Sequence, residues 1–304
     1  MADSILHITN GDSLTGYLST LEIKGEVITW REMLCEGPTD YTIFSEDFIA
    51  VRTQFLNVDV QHYALFSDQF QQITQKHYQE IVLWFEYDLF CHINLAAAVS
   101  LLSQKDIQTP ISLVCSGNID GSEKLYGLGE LTKEQLFEHF TQRVVLSKTD
   151  VASLNNVWSI YCSENHKELL LVTSKSENLM YLFNCMDYQL KRFPSTTNGL
   201  NKLEQLVLSM ISKETIHSDR ELIGRVLKLQ EFYGFGDLQI EKIIDKLSLF
   251  ITKGETVRLN TLGEQVLDGA YDAFDIMKDN TQFGGSLKYN FRYNPRIEQL
   301  ESVV

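Results

Sequence analysis

A polar turn, Asn10-Gly11-Asp12-Ser13, comes straight off the apolar run Ser4-Ile-Leu-His-Ile-Thr9. A short apolar strand that breaks into Gly and a capping residue, then into a helical pattern, is where α/β proteins place ligands. Gly11 allows close backbone approach, Ser13 brings a hydroxyl and the helix start offers free amides, a set that suits a phosphate or a carboxylate. The turn is not a Walker loop, because no Gly-Lys-Ser/Thr follows, and no Gly-x-Gly-x-x-Gly dinucleotide fingerprint occurs. A Gly-Asp-Ser turn after a first strand also fits a serine hydrolase, which needs a downstream Asp and His separated by two residues. The plain alternative is that Asp12 or Ser13 only caps the next helix.

Three more acids follow strand-like runs. Glu36 precedes Gly37-Pro38 on a stiff turn, and Glu86 and Asp88 lie two apart on an extended segment. That spacing puts both on one side, within reach of one Mg²⁺, an ion that prefers carboxylates and water. The alternatives are a surface turn acid for Glu36 and helix capping for the Glu-x-Asp pair. Arg31, Arg52 and Arg143 are candidate anion clamps, or neutralise structural carboxylates. Trp30 is a candidate pocket floor that stacks on a base or sugar, whereas Trp84 reads as core and His7 as a satisfied core histidine. Cys91-His92, at a helix start, has the composition of a thiolate pair. The candidate site is therefore Asp12, Glu36 and Asp88 as catalytic acids, with Asn10, Gly11, Ser13, Trp30, Arg31, Gly37 and Arg143 around a ligand. Asp12, Glu86 and Asp88 form the candidate metal set.

These residues need a scaffold that gathers them. Residues 4–9, 25–30, 80–85 and 111–115 read as strands, the second running on through Arg31-Glu-Met-Leu, and the last ending in Ser116-Gly117-Asn118. Helical patterns at 14–21, 47–57, 67–78 and 91–102 alternate with them. That order predicts right-handed crossovers and a Rossmann-like parallel sheet over residues 1–125, with the polar turns at one carboxyl edge. Residues 126–198 read as a helical middle region, with helices at 132–142, 148–161, 165–171 and 179–193. Pro194-Ser-Thr-Thr-Asn-Gly199 is the clearest boundary signal. Residues 199–304 then give helices at 201–211, 219–233 and 237–247, two short strands on Lys253-Gly254 and a helix at 261–274, the order of a winged helix-turn-helix.

The 304 residues are 44% hydrophobic and 22% charged, an ordinary globular composition. A net charge of -15 opposes binding to nucleic acid or anionic lipid. Neither part is basic, since residues 1–198 carry 13 Lys and Arg against 25 acids and residues 199–304 carry 13 against 16. A phosphate ligand would have to be held locally. The would-be recognition helix, 237–248, holds three acids against two lysines and reads as a protein contact rather than a DNA reader. The longest apolar stretch, Ile93 to Leu102, is too short to span a bilayer, and no basic-then-apolar leader opens the chain. Five scattered cysteines form no Cys-x-x-Cys pair, which suggests reduced thiols and a cytoplasmic protein.

The chain resembles the bacterial family known as domain of unknown function 1835. The residues that carry the resemblance are His7-Ile-Thr-Asn-Gly-Asp-Ser13, Trp30-Arg-Glu-Met-Leu-Cys-Glu-Gly-Pro38, Leu83-Trp-Phe-Glu-Tyr-Asp-Leu-Phe90, Gly127-Leu-Gly-Glu-Leu-Thr132 and Phe193-Pro-Ser-Thr-Thr-Asn-Gly-Leu200 with Glu204. The resemblance implies a companion C-terminal domain but no reaction. Where similar proteins have Asp then Gln after the third strand, this chain has Cys91-His92, which leaves Glu86 and Asp88 as the acids there. Two functions fit. One is an enzyme acting on a small phosphorylated or nucleotide-like ligand, with Mg²⁺. The other is a non-catalytic regulator that senses a small molecule and contacts protein or nucleic acid through its C-terminal domain. The acids distinguish them: sharing a metal in an open cleft favours the enzyme, and pairing with Arg31 and Arg143 favours the regulator.

Overall fold

A computed structural model describes all residues except 1–3, 116, 118, 120, 121, 123, 174, 175, 279, 280 and 304. Ser116 and Asn118, expected to close the fourth strand, therefore lie outside the described residues. The chain forms two compact units, Met1–Cys185 with Phe283–Gly285, and Met186–Gln282 with Ser286–Val304. In the first, β1 (Ile5–Asn10), α1 (Asp12–Leu18), β2 (Glu26–Trp30), β3 (Gly37–Pro38), α2 (Glu46–Leu56) and α3 (Val60–Gln71) come in order. They are followed by β4 (Glu80–Phe85), α4 (Leu89–Gln104), β5 (Ile111–Cys115), α5 (Lys133–Thr141), β6 (Val144–Val145), α6 (Lys148–Tyr161) and α7 (Leu169–Val172). Helix α8 (Leu182–Leu190) follows.

The main sheet has the order β2-β1-β4-β5-β6. The first four strands are parallel and β6 is antiparallel to β5. Residues 81–85 of β4 are fully buried, as expected of a strand covered on both faces, and α4 is buried from Cys91 to Leu102. Because connections leave β1 and β4 toward opposite sides of the sheet, these neighbours define a switch point, and their carboxyl ends flank a crevice.

Strand β2 stops at Trp30 instead of running on to Leu34. The next residues turn inward: Glu32 is buried on Arg52, which donates to both carboxylate oxygens at 3.0 and 2.7 Å, and to the Glu36 and Pro38 carbonyls at 2.7 and 3.0 Å. Tyr63 also donates to Glu32. Arg52 is thus a structural cation rather than an anion clamp. Gly37 and Pro38 pair with residues 283–284, not with the main sheet. Gly37 has φ +76°, and the Phe55 ring occupies the space a Cβ would need, so glycine is required there. Helix α3 begins at Val60, earlier than the expected 67, because Asp59 caps it.

In the second unit, α9 (Lys202–Lys213), α10 (Asp219–Leu229) and α11 (Asp237–Lys246) precede the antiparallel hairpin β7 (Ile251–Lys253) and β8 (Val257–Leu259). Next come α12 (Thr261–Leu267) and α13 (Phe274–Met277), which are separate because Gly269 takes φ +76° between them. Strand β9 (Gln282–Gly284) follows, its residues 283–284 belonging to the first unit, and β10 (Ser286–Leu287), β11 (Phe291–Asn294) and β12 (Gln299–Ser302) complete the chain, the last two as an antiparallel ribbon. Pro194–Gly199 is built into this unit: Asn198 donates to the Val266 carbonyl at 3.2 Å and accepts from the Leu200 amide at 3.2 Å. Glu204 closes a capping box with Asn201 and forms a buried 2.7 Å ion pair with Lys288.

The Glu32–Arg52 pair sets the first prediction. Arg52→Met strands a buried carboxylate and is expected to destabilise the fold by about 3 to 5 kcal/mol, while Glu32→Leu with Arg52→Met recovers most of that loss. Urea unfolding of the single and double variants measures both. Equal losses in the two would show that the pair's geometry, not its charge balance, matters.

Candidate functional site

The carboxyl ends of β1 and β4 carry Asn10-Gly11 and Glu86-Tyr87-Asp88. Asn10 Nδ2 donates to Cys91 Sγ at 3.0 Å, and its Oδ1 accepts from Asn94 Nδ2 at 2.9 Å. Asn94, fully buried on α4, also donates to the Glu32 carbonyl at 2.6 Å and accepts from the Leu34 amide at 3.1 Å. One side chain therefore ties together the ends of three elements. Thr15 binds Thr9, Thr29 and the Gly11 carbonyl, which anchors α1 to β1 and β2.

Asp88 caps α4 by accepting from the Cys91 amide at 2.8 Å. It is buried, and its carboxyl is pushed up to about 7 by desolvation first and then by the neighbouring charge of Glu86. Glu86 accepts from the Gly129 amide at 3.3 Å and from the Leu128 amide, yet desolvation wins and raises its pKa too. The Gly127-Leu-Gly-Glu-Leu-Thr132 motif acquires a role here. A Cβ on Gly127 would stand 2.8 Å from Glu86 Oε1, so glycine lets the chain wrap this acid. Ligand atoms of Glu86, Asp88 and Cys91 lie within 4.8 Å of one another. No basic side chain is among the groups that shift either acid.

Burial pushes the Cys91 thiol well up and pulls His92 down to about 4, so both are neutral near pH 7. The thiolate option at Cys91-His92 is therefore not borne out, because deep burial favours the uncharged forms. Desolvation also raises Cys115 and Cys185, and both feel Asp88. Three cysteines far apart in sequence converge on one carboxylate, which their spacing did not reveal. Asn94 and Glu32 were also missed, since single polar residues inside apolar or strand-like runs give no periodic signal.

The other candidate residues are placed as follows. Asp12 opens α1 but does not cap it; Gly11 is the N-cap and no side chain bonds there. Asp12 instead meets Arg31 at 2.8 Å, both side chains being exposed, and Ser13 is exposed beside it. Glu36 and Gly37 lie beyond the end of β2, and among the described residues Glu36 is not part of the Glu86, Asp88 and Cys91 cluster. Trp30 is not a pocket floor. It is buried among Phe44, Phe66 and Phe70, with Nε1 unpartnered among the described residues. Arg143 is not at the carboxyl edge either, because its guanidinium reaches Glu80, the first residue of β4, at 2.8 Å and lies over Phe140. Trp84 is core and donates to His7 Nδ1 at 3.1 Å, and His7 is buried as expected. The pair at the spacing a serine hydrolase needs, Asp59 and His62, opens α3, where Asp59 accepts from the Gln61 and His62 amides. No family model and no curated protein matches the chain. Among solved structures it is similar to the Plasmodium falciparum topoisomerase II DNA-binding, cleavage and re-ligation domain, at 11% identity and a TM-score of 0.46. The match covers 82% of this chain and 42% of that one. No helix among the described residues is long and apolar enough to cross a membrane.

The raised Asp88 carboxyl gives a pH prediction. The folded chain holds a proton that the unfolded chain releases between pH about 4 and about 7, so this group's contribution makes stability fall as pH rises through that window. Asp88→Asn keeps an acceptor for the Cys91 amide, flattens that slope and is expected to stabilise the fold by about 2 to 4 kcal/mol at pH ~8. Urea unfolding across the window measures it. An unchanged slope would count against this titration.

Proposed function

We propose that the chain is an enzyme acting on a small phosphorylated or nucleotide-like ligand at the carboxyl edge of the N-terminal sheet, with Glu86 and Asp88 holding a divalent cation. The observation that carries this reading is a pair of desolvated carboxyls at a sheet switch point, within metal-sharing distance of each other, with no basic side chain among the described groups that shift them. A bound cation would supply the missing charge and polarise a ligand oxygen. The Cys91 sulfur widens the choice from Mg²⁺ to ions that accept a softer donor, such as Zn²⁺. Asp12 and Arg31, exposed beside the crevice, are positioned to meet the ligand, Arg31 taking an anionic group and Asp12 orienting it. The family resemblance, kept as part of this proposal, adds no reaction.

A second reading concerns the C-terminal unit. Three helices followed by a hairpin support a winged-helix-like domain, and the exposed leucines Leu229, Leu238 and Leu249 support a protein contact rather than nucleic acid. In this reading the first unit senses a small molecule and the second transmits its binding.

Thermal unfolding with Mg²⁺, Mn²⁺ or Zn²⁺, alone and with nucleotides or sugar phosphates, tests the enzyme reading. The parent chain is expected to gain stability with at least one ion, more strongly above pH ~7 because the carboxyls must first lose their protons. Glu86→Gln is expected to lose that gain. Absence of any cation effect on the parent chain, or its full retention in Glu86→Gln, would sink the metal site.

A further inference from the structure

Helices α2 and α3 flank a cavity of about 430 Å³ whose lining includes Leu56, Val58, Leu65, Tyr63 and Phe66, with Arg31 as its one Lys or Arg. Tyr63 and Phe66 are buried, and Phe66 packs edge-on against Trp30, Tyr63, Phe44 and Phe70, so neither ring stands free as a stacking platform. The lining is mostly apolar, with Leu65 keeping 67% of its surface exposed, and the exposed His62 and Gln69 complete it beside Arg31. The wall is also preformed: Tyr63 is held by Glu32, and Glu32 by Arg52. Arg31 meets Asp12 through Nε and Nη2 in a pair exposed on both sides, so an incoming carboxylate reaches the guanidinium from solvent and can take the place of Asp12 like for like.

We propose that this cavity binds the chain of an aliphatic monocarboxylate, whose carboxylate replaces Asp12 on Arg31. Charge complementarity selects the occupant: a mostly apolar concavity whose described lining carries Arg31 as its guanidinium, with His62 and Gln69 as further polar side chains, fits an apolar chain with one anionic head. A second copy of the chain is a poor occupant, because each copy carries a net charge of -15. The site does not depend on the cation proposed at Glu86 and Asp88, but it draws on the same Arg31 that the crevice ligand would use, so the two ligands would compete for that guanidinium.

Isothermal titration of the full chain with butanoate, hexanoate, octanoate and decanoate, and with the matching alkanols, tests it. The expected result is one site per chain, with affinity rising about threefold to fourfold per added methylene until the cavity is full. Arg31→Gln is expected to weaken octanoate about tenfold or more while leaving octanol unchanged. Leu65→Glu is expected to abolish binding of both, with circular dichroism confirming that each variant folds. Octanol binding as tightly as octanoate, affinity indifferent to chain length, or no binding by the parent chain would overturn the proposal. So would self-association through this face that decanoate does not reverse.

Discussion

The buried Glu32–Arg52 ion pair is the interaction on which the first unit's functional face depends. Taking both charges out of water is unfavourable, and the pair persists because Arg52 fills its donors with the Glu32 carboxylate and the carbonyls of Glu36 and Pro38, while Tyr63 completes Glu32. The segment from Arg31 to Pro38 is thereby folded over α2 and away from the main sheet. Arg31 emerges beside Asp12, the β3 segment is delivered to residues 283–284, and Tyr63 becomes a fixed wall of the mostly apolar cavity.

The switch point shows the opposite electrostatic logic. Glu32 is buried with a cation, whereas Asp88 and Glu86 are desolvated and, among the described groups that shift them, meet amides, the Cys91 thiol and a further acid, Glu130, but no cation. A fold gains nothing from leaving two acids in that state, and buried groups held against their ordinary protonation are typical of sites kept for binding or chemistry. Asn10 and Asn94 keep the surroundings rigid by linking β1, α4 and the segment after β2.

The acids do not fall wholly on either side of the contrast between enzyme and regulator. Asp12 is paired with Arg31, as a regulator would have it, but at an exposed and exchangeable contact. Glu86 and Asp88 approach within metal-sharing distance, as an enzyme would have it, but without Asp12 or Glu36. The one described cluster of possible metal ligands is narrower than four polar turns at one edge would suggest, and it centres on the third turn rather than the first.

The amino-acid sequence by itself determined the strands at 80–85 and 111–115, the helix at 148–161 and the parallel sheet, because apolar runs and cap residues act locally. It also brought Asn10, Glu86 and Asp88 to one edge, since parallel strands joined by helical crossovers leave their carboxyl ends no alternative. Only the tertiary structure decided which polar residues were left without a counter-charge. Arg52, Arg31 and Arg143 look alike along the chain, yet one is locked in the interior, one is exposed at the crevice and one is turned back to Glu80. Cys91, Cys115 and Cys185 likewise carry no shared spacing, and they meet at Asp88 only because α4, β5 and α8 converge there. Pairing and desolvation depend on neighbours distant in sequence, and no local pattern encodes them.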